Sequence, residues 1–123
     1  MAKWTLVPIL TNREAEDAFA GKLREGASRA TLIFVVDQEA EKNVSVAGTK
    51  IKQAEQTMAD LKKKLGKGVL VKELVEWGRW ELKLRNVAML EKCDEVLMID
   101  CPRARELLAQ LKKEGINANL MAV

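Results

Sequence analysis

DEVLMIDCPRARELL, residues 94–108, is the stretch that decides the fold class. Its first half, Glu95 to Asp100, is an apolar run too continuous to alternate between a core and water. Its second half, continuing to Leu111, spaces Ala104, Leu107, Leu108 and Leu111 at helical intervals. Pro102 stands at or near the first turn of that helix, where a missing N–H costs nothing. A strand covered on both faces that passes directly into a helix is the unit of a parallel α/β sheet. Nucleotide-binding folds of this class commonly place a Gly-rich phosphate loop between the two, whereas this chain has Asp100-Cys101-Pro102-Arg103.

The same alternation extends outward in both directions. WTLVPIL (4–10), TLIFVVD (31–37), VLVKELV (69–75), EVLMID (95–100) and ANLMAV (118–123) are the strand candidates. Between them, Ala15, Ala18, Phe19 and Leu23 make one apolar helix stripe, and Ile51, Ala54, Met58, Leu61 and Leu65 make a second. Trp80, Leu84, Val87 and Ala88 mark the third helix, and the Leu107 helix is the fourth. Gly26, Gly66 with Gly68, and Gly115 fall where C-terminal glycines stop a helix. The segment Gln38 to Val46 reads as a polar surface loop. The pattern is β-α-β-α-β-α-β-α-β in one domain, 1–123, with a parallel sheet and helices on both faces.

Composition narrows the function. A chain of 123 residues buries about two-thirds of its unfolded surface and needs no metal or disulfide staple. Net charge is +3, and Lys62-Lys63-Lys64 is the single basic run, which argues against nucleic acid and for a solvated helix face. Trp4 to Leu10 is too short for a signal or membrane segment and contains Pro8, so no membrane association is expected. Cys93 and Cys101 flank a strand that would hold them ~26 Å apart at its extended rise. That exceeds the ~7 Å limit for a disulfide. With no His and no CxxC, neither a metal site nor a redox site is expected, and cytoplasmic location follows. No cofactor and no catalytic residue is assigned, since no Ser-His-Asp set or paired carboxylates emerge. Cys101 opens a helix, but no His stands ready to activate it, so a buried inert thiol is expected.

The run from Val69 to Ile99 carries a family likeness. Strand VLVKELVEW, then Gly78, then helix RWELKLRNVAMLEKC, then Asp94 opening EVLMI resembles the third strand, glycine turn, third helix and fourth strand of the universal stress protein family. TLIFVVD is similar to that family's second strand, and the order of elements matches over nearly the whole chain. The resemblance implies a five-stranded sheet in the order 3-2-1-4-5 and a homodimer paired through the last strand, here Ala118, Leu120 and Ala122. It also implies an ATP site in members with an acid ending the first strand and a G-x2-G-x9-G-S/T loop after the fourth. This chain has Leu10-Thr11-Asn12-Arg13 at the first place and no glycine between Ile99 and Gly115 at the second. It is therefore expected not to hold ATP in the usual way.

With strand order 3-2-1-4-5, ligands belong in the crevice beyond the carboxyl ends of strands one and four. Candidate anion contacts there are Asn12, Arg13, Asp37, Arg79, Asp100 and Arg103, with Gln38 and Gly78 nearby. Each arginine could equally pair with Asp37, Asp100 or a neighbouring Glu. Trp77 and Trp80 could stack on a flat ligand, although the spacing of Trp80 with Leu84 and Val87 suits the core. A response-regulator receiver is excluded by Thr11-Asn12 and Trp77-Gly78, where that fold needs acids. The expectation is a non-catalytic binding or regulatory module, with a small enzyme or switch for a phosphorylated metabolite or nucleotide as the alternative.

Overall fold

The structure, a computed structural model, describes residues 3–37 and 43–123. Five parallel strands, β1 (Trp4–Pro8), β2 (Arg29–Val36), β3 (Leu70–Trp77), β4 (Glu95–Ile99) and β5 (Ala118–Met121), alternate with four helices among these residues. The helices are α1 (Asp17–Gly26), α2 (Val44–Leu65), α3 (Trp80–Leu90) and α4 (Pro102–Lys113). The sheet order is β3-β2-β1-β4-β5.

The continuous apolar runs follow from a sheet with two covered faces. Val7 and Leu32 pack with Phe19 and Leu23 of α1 and with Met58 and Leu61 of α2. Their neighbours Leu6, Ile33, Val96 and Met98 turn to the other face, against Trp80 and Leu84 of α3 and Leu107 and Leu111 of α4. Each such side chain taken fully out of water contributes about 1.5–3 kcal/mol, so neither helical layer is dispensable.

Some boundaries depart from the sequence. α2 begins at Val44, about two turns before Ile51, because Asn43 caps it by accepting from the N–H groups of Ser45 and Val46 at 2.9 and 3.2 Å. The expected loop therefore shortens, and Gln38 with the rest of 38–42 lies outside the described residues. Ala15 precedes α1, and Gly26 is its last residue rather than a left-handed stop, with Ala27 extended after it. Gly68 ends a short 3-10 turn, whereas Gly66 at φ 67° is the C-cap of α2. Gly78, at φ 146°, makes the reversal between β3 and α3 that a side chain would resist.

β1 is central, yet it ends in a proline. Ile9 N–H donates to Ile33 O, so the odd residues of β1 face β2 and the even ones face β4. Pro8 thus turns its missing donor toward β4, and the β1–β4 register stops at Thr5↔Glu95 and Leu6↔Val96. Beyond Leu6 the two strands part, at the place where the strand order reverses.

Candidate functional site

A cleft of about 380 Å³ opens over the carboxyl ends of β1 and β2. Ile9, Leu10, Phe34, Val35, Val36 and Ala47 make it largely apolar, and Asn12, Asp37, Lys50, Gln53, Trp80 and Arg103 complete its lining. That volume sits near the lower end for small-ligand sites. A smaller cleft, about 170 Å³, lies at the opposite end of the sheet beside the 2.8 Å Lys3–Glu95 ion pair.

The loop leaving β1 is shaped by a residue that the sequence did not single out. Glu14 is fully buried, and its Oε2 accepts from the N–H groups of Leu10 and Thr11, both at 3.2 Å, and from the Thr11 hydroxyl at 2.9 Å. Its Oε1 has no partner among the described residues. The carboxylate occupies amides at the strand end that could otherwise face an anion. Asn12 takes a left-handed conformation, φ 62°, and its Oδ1 lies 3.2 Å from the Thr57 hydroxyl of α2. This fastens the loop to α2.

Arg13 points its charge elsewhere. Its Nε donates to Glu16 at 2.6 Å, and this hydrogen bond pushes the guanidinium pKa further up. Asp100 likewise is bound to Arg105, with bonds of 2.8 and 3.1 Å that hold its carboxyl below the usual carboxylate range. Arg13, Arg79 and Asp100 do not line the cleft; Asn12, Asp37 and Arg103 do.

On the far wall, α3 and α4 present their N-termini. Asp37 accepts from the Trp80 N–H at 3.3 Å and so caps α3 from β2, since Arg79 at the N-cap makes no side-chain cap bond. Trp80 is 8% exposed and packs into the core, and Arg103 lies over its ring, 4.5 Å from the centroid. Cys101 is half-buried rather than sequestered: its Sγ accepts from the Ala104 N–H at 3.4 Å as the cap of α4. Trp77 is exposed. No group of His, Cys, Asp or Glu among the described residues is arranged to hold a metal.

No protein-family profile matches the sequence, and no curated protein matches it at significance. Solved structures do. The hypothetical protein MJ0577 superposes with a TM-score of 0.78 at 18% identity, covering 100% of this chain and 97% of that one. The universal stress protein UspA of Lactobacillus plantarum gives 0.75 at 12% identity, with 97% of each chain covered. A universal stress protein family member from Burkholderia pseudomallei gives 0.72 at 12% identity, covering 98% of this chain and 96% of that one. The chain has the universal stress protein fold.

Within the universal stress protein fold, the local signal for Glu14 was present in the sequence. Thr11-Asn12-Arg13-Glu14 has the spacing of a capping box, in which a Thr and a Glu three residues on satisfy each other's backbone donors. Here the Thr11 hydroxyl accepts from the Arg13 N–H at 3.0 Å while Glu14 reaches back to Thr11. The Asp100–Arg105 pair had no such local signature. It spans the strand-to-helix turn that holds Cys101 and Pro102. No helix among the described residues is long and apolar enough to cross a membrane.

Proposed function

We propose that this protein is a non-catalytic binding or regulatory module of the cytoplasm that takes a small ligand over the ends of β1 and β2. The observation that carries this is the apolar cleft with the Arg103 guanidinium stacked on Trp80 at its wall. A ligand with a flat apolar body and one anionic group suits it: the body rests on Ile9, Leu10 and Phe34, and the anion meets Arg103. Asn12 and the Asp37-capped start of α3 complete the contacts. ATP is disfavoured, because no glycine follows Ile99 before Gly115 and Glu14 already occupies the amides that end β1.

The module acts as a homodimer joined at the outer edge of β5. Val96 and Asp100 donate to the carbonyls of Asn117 and Met121, so the main-chain groups of Ala118, Leu120 and Ala122 face away from β4 by alternation. The side chain of Ala118 is buried in the core, so its contribution to that edge is through main chain alone.

Thermal shift against nucleotides and phosphorylated metabolites tests the ligand reading. A compound at 100 times its Kd stabilises by ~2.7 kcal/mol, and Arg103→Ala should remove most of the shift. If no compound in such a panel raises Tm, or if the shift ignores Arg103, the cleft is not the site.

A further inference from the structure

We infer that the outer edge of β3 is a self-complementary surface that pairs antiparallel with β3 of a second copy of this chain. The inference is independent of the ligand reading; because β3 lies at the opposite side of the sheet from β5, this pairing would link β5-joined homodimers end to end.

β3 is an edge strand of eight residues, twice the length of β5, and among the described residues no strand covers it. Bare edges of this length are normally blunted by charge, bulges or a covering segment. β3 carries Lys72, Glu73 and Glu76 along its middle, but its ends are apolar and open: Leu70 is 69% and Trp77 52% exposed. α3, which packs over β2 and β3, adds Leu82, Met89 and Leu90 as exposed apolar residues. Main-chain direction is fixed by the inner side. Leu70 donates to Ser28 O and Gly78 to Val36 O, so even residues bond toward β2 and odd residues turn N–H and C=O outward.

An antiparallel partner related by a two-fold axis normal to the sheet keeps each face on its own side, so even residues oppose even ones and odd oppose odd. Odd residues must form the hydrogen-bonded pairs. Among the registers that satisfy this, centring on Glu73 sets Glu73 against Glu73, and centring on Lys72 sets Lys72 against Lys72. Centring on Leu74 instead brings Lys72 against Glu76 twice, Val71 against Trp77 twice, and Leu74 against itself. Lys72–Glu76 and Leu74–Leu74 then fall in the non-hydrogen-bonded pairs, where side chains come closest. Lys72 and Glu76 already share the α3 face of the strand with Glu91 and Lys83, at 3.3 and 3.9 Å. Those bridges are surface pairs whose side chains stay 56% and 38% exposed on the β3 side, so each charge can also meet the second copy.

Sedimentation velocity on Lys72→Glu, Glu76→Lys and their equimolar mixture tests the register. Each variant alone opposes like charges and should stop at the species the β5 edge forms by itself, whereas wild type should extend beyond it. In the mixture, a strand with Glu at both positions meets one with Lys at both, and the wild-type mass should return. Wild-type mass in either single variant overturns the inference, as does a mixture that stays dissociated. A variant that fails to fold is replaced by Leu74→Cys in a Cys93→Ser, Cys101→Ser background. At the two-fold axis the two Cα atoms would lie ~4.5 Å apart. That is within disulfide reach, so mild oxidation should give a cross-linked dimer on a non-reducing gel, and its absence also overturns the inference.

Discussion

Replacing Glu14 by Ala removes an acceptor on which the loop after β1 depends. The side chain is 0% exposed, and three donors converge on its Oε2 at 2.9–3.2 Å. Two of the donors are backbone N–H groups with no other way to bond except to solvent admitted by the truncation. Leaving a buried donor unsatisfied costs about 1–3 kcal/mol. Leu10 and Thr11 are only partly buried, so the low end applies to each, and loss of the Thr11 hydroxyl bond brings the total to about 3 kcal/mol. That is a large part of the 5–15 kcal/mol typical of a domain. Glu14→Gln keeps an acceptor but gives up its charge, which halves the strength of these bonds and should cost about 1–1.5 kcal/mol. Urea unfolding is the assay. With a slope of about 1.5 kcal/mol per molar, the Ala variant should shift the midpoint down by about 2 M and the Gln variant by less than 1 M. An Ala variant within about 0.5 kcal/mol of wild type would show that the buried carboxylate is not what shapes this loop.

Two further outcomes follow from the cysteines. Cys101→Ala should destabilise by about 1 kcal/mol, whereas Cys101→Ser should match or exceed wild type, because serine is the better N-cap; denaturant midpoints decide between them. Burial pushes the Cys93 thiol up to about 11 from an ordinary value of 9.0. A raised folded pKa contributes stability that is present below the unfolded value and lost as pH climbs from about 9 to about 11, worth about 1 kcal/mol for a half-buried group. The stability difference between wild type and Cys93→Ala should shrink across that window, and a difference constant with pH refutes the assignment.

The layered architecture was legible in the sequence because it depends on local periodicity. TLIFVV and EVLMI announce strands with two covered faces, and Leu107 with Leu111 announces the helix that covers one of them. The strand order was not, since nothing local says which strands adjoin; it came with the family resemblance. α2 was begun two turns late because Val44, Ser45 and Val46 are weak helix formers, and the Asn43 cap outweighs them. In the candidate site, charge alone pointed to Arg13, Arg79 and Arg103. Only Arg103 lines the cleft, because Glu16 stands three residues from Arg13 and captures it. The stacking of Arg103 on Trp80 joins two helices that are distant in sequence, and no spacing rule within either one announces it.

The proline that ends β1 leaves the sheet with a seam. Strands β3, β2 and β1 are laced along long registers, and β4 with β5 along four residues, but the register between the two groups covers Thr5 and Leu6, with Trp4 bonded to Asp94 at its end. A chain cut in the turn at Glu91–Lys92 would therefore divide the sheet between its two groups of paired strands, β3-β2-β1 and β4-β5. The pieces share the layer of Leu6, Ile33, Trp80, Met98 and Leu107, so mixing them should rebuild the whole by burial of that layer. The short register makes the seam the place to divide this domain, with side-chain burial expected to carry most of the reassembly.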